Sequence, residues 1–319
     1  MEKQHGIKHF PVSFFSVVLG LAGFTIAFQK AEAILKLPFS INTFLLIITL
    51  IVFGIILAIY TVKIIKFPND VKSEFSHPVK LSFFPTFSIS LLLISIAFLS
   101  INLTASKYFW VSGTMIHLIF TINIISIWIH HTKFETTHMN PAWFIPAVGN
   151  IIIPVAGVSH LSSEISWFFY SIGLMFWIVL MTIFFYRIIF YKPLPERLLP
   201  TLFILIAPPA VAFISFVKLT GTVNEFSKIL YYFALFLVLL LFSQIKMFFK
   251  IRFYLSWWAY SFPMSAVTIA SMAMFHETGI QFFKLLSSVL LILLCSTIAV
   301  LVSKTGKALF RKEICVEED

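Results

Sequence analysis

Charge is what this sequence has least of. Asp, Glu, Lys and Arg make up 11 % of its 319 residues, 60 % are hydrophobic, and the mean hydropathy is +0.99. A soluble domain of this length could not cover its surface with so few charges. The composition therefore points to an integral membrane protein and leaves no segment for a soluble catalytic or nucleotide-binding domain. Acids are scarcer than bases, 13 against 23, and every one lies in a loop, a tail or a segment end. Cation channels and many proton- or sodium-coupled carriers place carboxylates along their path, so cation conduction and simple proton coupling are disfavoured. Cysteine is nearly missing: Cys295 lies in the last apolar run and Cys315 in the charged tail, which argues against a structural disulfide. There is no glycine-rich phosphate loop and no nucleophile with its base, so no enzyme is expected. His130, His131 and His138 form a small group without a partner group at ligand spacing, so neither metal nor cofactor is expected. The net charge of +10 is spread over segment flanks rather than gathered in one patch. That distribution fits membrane orientation rather than nucleic acid.

What is present is a succession of apolar runs, each close to the roughly 20 residues a helix needs to cross a bilayer. Ten can be marked, at 11–30, 40–63, 79–102, 108–130, 142–158, 164–190, 198–219, 225–246, 254–275 and 280–303. Prolines divide them. Pro85 falls in the third, Pro146 and Pro154 in the fifth, Pro208 and Pro209 in the seventh and Pro263 in the ninth, while Pro11 opens the first. The even segments have none. Odd segments bent and even ones straight predict an all-α fold of ten transmembrane helices, arranged as five helical hairpins with an inner ring of five bent helices around a pore. Freed backbone carbonyls are tolerable against protein or a water-filled cavity, not against lipid. The whole chain reads as one transmembrane domain with short tails at about 1–10 and 304–319.

Seventeen of the 23 Lys and Arg residues fall on the N-terminal side of this topology. The positive-inside rule then places both termini in the cytoplasm of a multi-pass protein of the cell (inner) membrane. Lys3 and Lys8 before an apolar run resemble a signal peptide, but the run from Phe10 to Phe28 is long for one and Lys30 precedes the small-residue site. The first helix is expected to be retained. Hydroxyls and one amide recur on the odd segments, so Ser16, Thr86, Asn150, Ser261 and Ser265 are candidates for lining the pore. A neutral lining with basic mouths suits anions. His117 is expected to be a hydrogen-bonded interior residue.

The ninth segment concentrates these features. Ser256–Met274 is uncharged, and Pro263 cannot donate to the carbonyl of Ala259, so a kink is expected there. Ser261, Ser265 and Thr268 recur at helical spacing, with Phe262 at the edge of that face. The stretches Ser76-His77-Pro78-Val79, Pro141-Ala142-Trp143-Phe144-Ile145-Pro146, Ala207-Pro208-Pro209-Ala210 and, most specifically, Trp257-Trp258-Ala259-Tyr260-Ser261-Phe262-Pro263-Met264 together resemble the tellurite-resistance and dicarboxylate-transporter family. That family includes the plant guard-cell slow anion channels. The similarity runs along essentially the whole chain, and the lack of the plant channels' long soluble tails suggests a bacterial homologue. It implies ten helices as five hairpins, a pore through each protomer of a homotrimer, and occlusion of that pore by Phe262. Chloride, nitrate and other inorganic anions are the implied cargo of a channel, and dicarboxylates or tellurite that of a carrier. Ser16 and Val18 stand where relatives carry glycine and proline, so the first helix is expected to be less bent here.

Overall fold

A computed structural model describes residues 6–38, 40–130, 134–311 and 313–314; Lys3, His131 and Cys315 lie outside them. Among the described residues the secondary structure is entirely helical. In chain order the α-helices are α1 (Phe15–Leu35), α2 (Asn42–Lys66), α3 (Pro68–Ser76), α4 (Thr86–Phe98), α5 (Leu103–His130), α6 (Phe144–Val148), α7 (Ile153–Gly157), α8 (Ser163–Phe190), α9 (Ala207–Thr220), α10 (Glu225–Ser243), α11 (Ile245–Phe249), α12 (Ser261–Thr278) and α13 (Gln281–Phe310). Among the described residues, eight helical stretches are long and apolar enough to cross a membrane. They match eight of the ten expected runs to within a turn or two at each end. The other two runs take different forms. Pro141–Gly157 is a shorter apolar helix, and the ninth run is a 3-10 stretch, Leu255–Tyr260, followed by α12. The last helix continues to Phe310, so the expected C-terminal tail is partly helical.

Burial separates the long helices into two classes. Across an apolar 18-residue window of each, 72, 83 and 67 % of residues are buried in Val12–Leu35, Lys80–Phe98 and Glu196–Thr220, against 28 to 39 % in α2, α5, α8, α10 and α13. The second class exposes Phe44, Ile51, Met115, Ile119, Phe168 and Ile178 among many large apolar side chains. In water such a surface would aggregate; in a bilayer it faces lipid tails. Pro141–Gly157 and α12 are also mostly buried, and these five buried segments carry the interior prolines.

Those prolines do not sit in mid-helix. Four of the five buried segments begin with 3-10 turns and pass into α-helix: Val12–Phe14 into α1, Lys80–Phe83 into α4, Glu196–Ile206 into α9 and Leu255–Tyr260 into α12. The remaining one, Pro141–Gly157, alternates between the two forms twice. Pro85 is the N-cap of α4, Pro154 and Pro208 stand at second helical positions, and Pro146, Pro209 and Pro263 stand at third ones. Within the first turn a peptide N–H has no acceptor inside that α-helix, so proline breaks no bond of the helix it enters. The expected kinks are thus changes of helix type, with the proline just past the junction. Pro200 lies inside the unusually long 3-10 run and was not singled out by the sequence.

α1 and α12 pack closely because α1 offers Gly20 and Gly23 to its partner, three residues apart on one face. A Cβ on Gly20 would lie 2.8 Å from both Trp258 Cε3 and Ser261 Cβ, and one on Gly23 would lie 3.0 Å from Ser265 Cβ and 3.3 Å from the Phe262 ring.

Candidate functional site

Two cavities lie between the buried segments, one of about 640 Å³ and one of about 180 Å³. Both are walled by the same five segments, taken in the same order along each. α1 contributes Ser16 and Leu19 to the wide cavity and Gly23, Ile26 and Lys30 to the narrow one. α4 contributes Thr86 and Ile89, then Leu93 and Ile96. α9 contributes Ala207 and Pro208, then Ile214 and Lys218. α12 contributes Pro263 to the wide cavity, and Ala266 and Ile269 to the narrow one. The wall residues common to both are Ile152, Val211 and Phe262. These three apolar side chains stand where the cavities meet, and the ring of Phe262 rests on Gly23 of α1.

The candidate lining residues divide. Ser16 and Thr86 are on the wide wall, with Ser13, Thr201 and Ser256. Asn150, Ser261 and Ser265 are on neither wall. Asn150 donates from Nδ2 to Thr121 Oγ1 at 3.0 Å and to the Ala147 carbonyl at 2.8 Å, which turns its side chain toward α5. Ser261 and Ser265 are fully buried, donate to the carbonyls of Trp258 and Ser261 and lie against Gly20 and Gly23. The hydroxyl face of α12 is therefore the face that packs on α1, a common use of small polar residues between membrane helices. The prolines divide too: Pro208 and Pro263 touch the wide cavity, while Pro85, Pro146, Pro154 and Pro209 do not line it.

Four of the hydroxyls that reach the wide wall donate their protons to backbone carbonyls. Ser16 bonds the Ser13 carbonyl at 2.6 Å, Thr86 that of Phe83 at 2.5 Å, Thr201 that of Leu198 at 2.5 Å and Ser256 that of Arg197 at 2.5 Å. They present lone pairs rather than donors to the cavity, so they offer an anion little. Positive charge comes instead from the ends. Lys80 and Arg197 line the wide cavity with Glu74 and Glu313, and Lys30 and Lys218 line the narrow one without an acid.

Glu74 was not anticipated from the sequence as a wall residue. Its carboxylate is buried on α3, 2.7 Å from Lys63 Nζ, and accepts from Tyr60 Oη at 3.1 Å and from the Val12 peptide N–H at 2.7 Å. Lys63 also donates to the Phe10 carbonyl at 2.9 Å. This network ties the chain before α1 to the α2–α3 corner at the mouth of the wide cavity. His117 is fully buried with Nδ1 2.9 Å from Ser88 Oγ, and its ring backs onto Gly149 of the wide wall. His130 Nδ1 lies 2.8 Å from the Ser126 carbonyl, and His138 Nδ1 accepts from the Glu135 N–H at 3.1 Å. Both are taken up locally.

A helical bundle with a lipid-compatible surface and cavities along its buried axis belongs to the multi-pass membrane transport proteins. Within that class, residues 9–305 match the family model described as voltage-dependent anion channel, and the chain belongs to this SLAC1 family. It is 30 % identical to an uncharacterized transporter of Methanocaldococcus jannaschii over 84 % of this chain and 85 % of that protein. It is 31 % identical to the S-type anion channel SLAH3 of Arabidopsis thaliana over 83 % of this chain, which spans only 43 % of SLAH3. A tellurite resistance protein TehA homolog of Haemophilus influenzae is 24 % identical over 85 % of this chain and 83 % of its own length.

Proposed function

We propose that this protein is a passive channel for small monovalent anions such as chloride and nitrate, with Phe262 closing a path that runs between the five buried segments. The observation that carries this reading is the meeting of the two cavities at Ile152, Val211 and Phe262. Family membership and the anion-channel names of several relatives support the choice of cargo. On this reading the chain is one transmembrane domain of ten crossings in five hairpins. Both termini lie in the cytoplasm, the narrow cavity opens outward, and three protomers each carry their own path. It has no enzymatic role. Reconstitution of the purified protein, followed by currents under anion substitution, tests the proposal. Channel-sized currents reversing at the anion equilibrium potential support it, and their absence from an active preparation refutes it.

A second reading, a carrier for dicarboxylates or oxyanions such as tellurite, is favoured by the likeness to the TehA homolog. Saturating flux at carrier-like turnover, without single-channel events, is the result that would select it.

A further inference from the structure

Resting on the reading of the two cavities as one anion path, we propose that Lys30 and Lys218 form an anion site in the narrow cavity. It takes small inorganic anions and holds dianionic oxyanions such as sulfate more tightly than chloride. Four observations converge on it. First, the two lysines come from separate elements, α1 and α9, yet line one cavity of about 180 Å³ whose wall contains no acidic residue. Second, the two helices place them alike. Gly23, Ile26 and Lys30 on α1 repeat the spacing of Val211, Ile214 and Lys218 on α9, and each lysine is seven residues past the constriction. Seven residues are two helical turns, about 10 Å of rise, so both lysines leave their helices at a similar distance beyond Phe262.

Third, neither lysine is neutralised. Among the described residues neither has an ion pair or hydrogen bond, and Glu32, the acid nearest in sequence to Lys30, accepts from the Asn42 side chain on α2. Lys63 shows the contrast, being buried against Glu74 at 2.7 Å. Fourth, the remaining polar wall groups are Gln29 and Ser100, and the Gln29 amide is held by the Ala97 carbonyl at 2.8 Å. Lys30 is partly buried and Lys218 exposed at a cavity whose walls are mostly apolar, so the two like charges repel each other there and an anion between them relieves the repulsion. A dianion gains twice the attraction per site. It also loses more hydration on passing Ile152, Val211 and Phe262, so it should rest at the site and obstruct.

The test uses the full-length protein in planar bilayers, with chloride varied and sulfate added on the narrow-cavity side alone. Lys30→Gln/Lys218→Gln should raise the half-saturating chloride concentration roughly three- to tenfold. The same double substitution should abolish sulfate block from that side, while Lys30→Arg/Lys218→Arg retains both properties. Wild-type chloride dependence and wild-type sulfate block in the well-expressed Gln pair would overturn the site. Thermal unfolding in detergent with added sulfate reads binding without any current. Sulfate stabilisation lost in the Gln pair supports the site even if no current is ever recorded, in which case the channel reading alone fails. Robust current with neither block nor stabilisation altered leaves the channel reading standing and removes the site.

Discussion

Phe262 is half-buried where the two cavities share it with Ile152 and Val211, so its truncation joins them. Phe262→Ala should raise anion current per protein several-fold in bilayers or oocytes. Because the ring already faces open space, the loss of stability should fall below the roughly 3–5 kcal/mol of a fully buried Phe→Ala. Unchanged current from a well-expressed variant would remove the gate. Gly20 makes the opposite kind of test, since a new Cβ there meets Trp258 and Ser261 at 2.8 Å. Gly20→Ala should cost about 1–3 kcal/mol by overpacking and displace the segment that carries Phe262, visible as a lowered unfolding temperature together with altered current. At the mouth, Glu74→Gln leaves the Lys63 ammonium buried without its counter-charge. A loss of about 3–5 kcal/mol is expected, and Lys63→Met combined with Glu74→Leu should recover much of it. A double variant no more stable than Glu74→Gln would show that the loss comes from the bonds to Val12 and Phe10 rather than from an unpaired charge.

At the scale of elements, the recurrent device is a 3-10 stretch entering an α-helix beside a proline. Pro263 cannot donate to the Ala259 carbonyl, so the α-helical pattern stops at Ser261 and Leu255–Tyr260 remains 3-10. Alanine at 263 would restore that donor and let α-helix extend backward. A 3-10 helix turns 120° per residue against 100° for α, so conversion over these six residues rotates the segment by about 120°. Trp258, held through Nε1 to Thr305 Oγ1 at 2.9 Å, would have to leave that partner. Pro263→Ala should therefore change current and Trp fluorescence strongly while costing little stability; wild-type values of both would show that the junction does not depend on the proline. This is also where sequence and structure part. The apolar runs and the confinement of interior prolines to alternate segments were legible, because bilayer thickness and the missing proline N–H act on the chain locally. The short polar helix α3 was not, since it lies in an ordinary-looking connection and its Glu74 is held by Lys63 on α2, 11 residues back. Nor was the direction of the Ser261 stripe. A hydroxyl face suits a pore or a glycine-lined neighbour equally well, and Gly20 and Gly23 decide the matter from another helix. Lys30 and Lys218 counted only toward topology until the fold brought them to one cavity.

Across the whole molecule, polarity along the axis is uneven in a way that fixes what should pass. Charges stand at both ends, four of the wide wall's hydroxyls donate to backbone carbonyls, and the side chains common to both cavities are Ile152, Val211 and Phe262. An anion crossing that point loses water and finds no donor in exchange, so the barrier is set by its own hydration rather than by coordination. Ion hydration weakens with size and strengthens steeply with charge. Under bi-ionic conditions nitrate and iodide should therefore be more permeant than chloride, fluoride less, and sulfate essentially excluded. Val211→Ser adds a hydroxyl where the two cavities meet and should compress the nitrate-to-chloride ratio toward unity without changing which sign of ion passes. Reversal potentials measured for wild type and this variant decide the point. A wild-type order with fluoride ahead of chloride would mean that donors replace the hydration shell inside the path, and the apolar constriction would no longer explain selectivity.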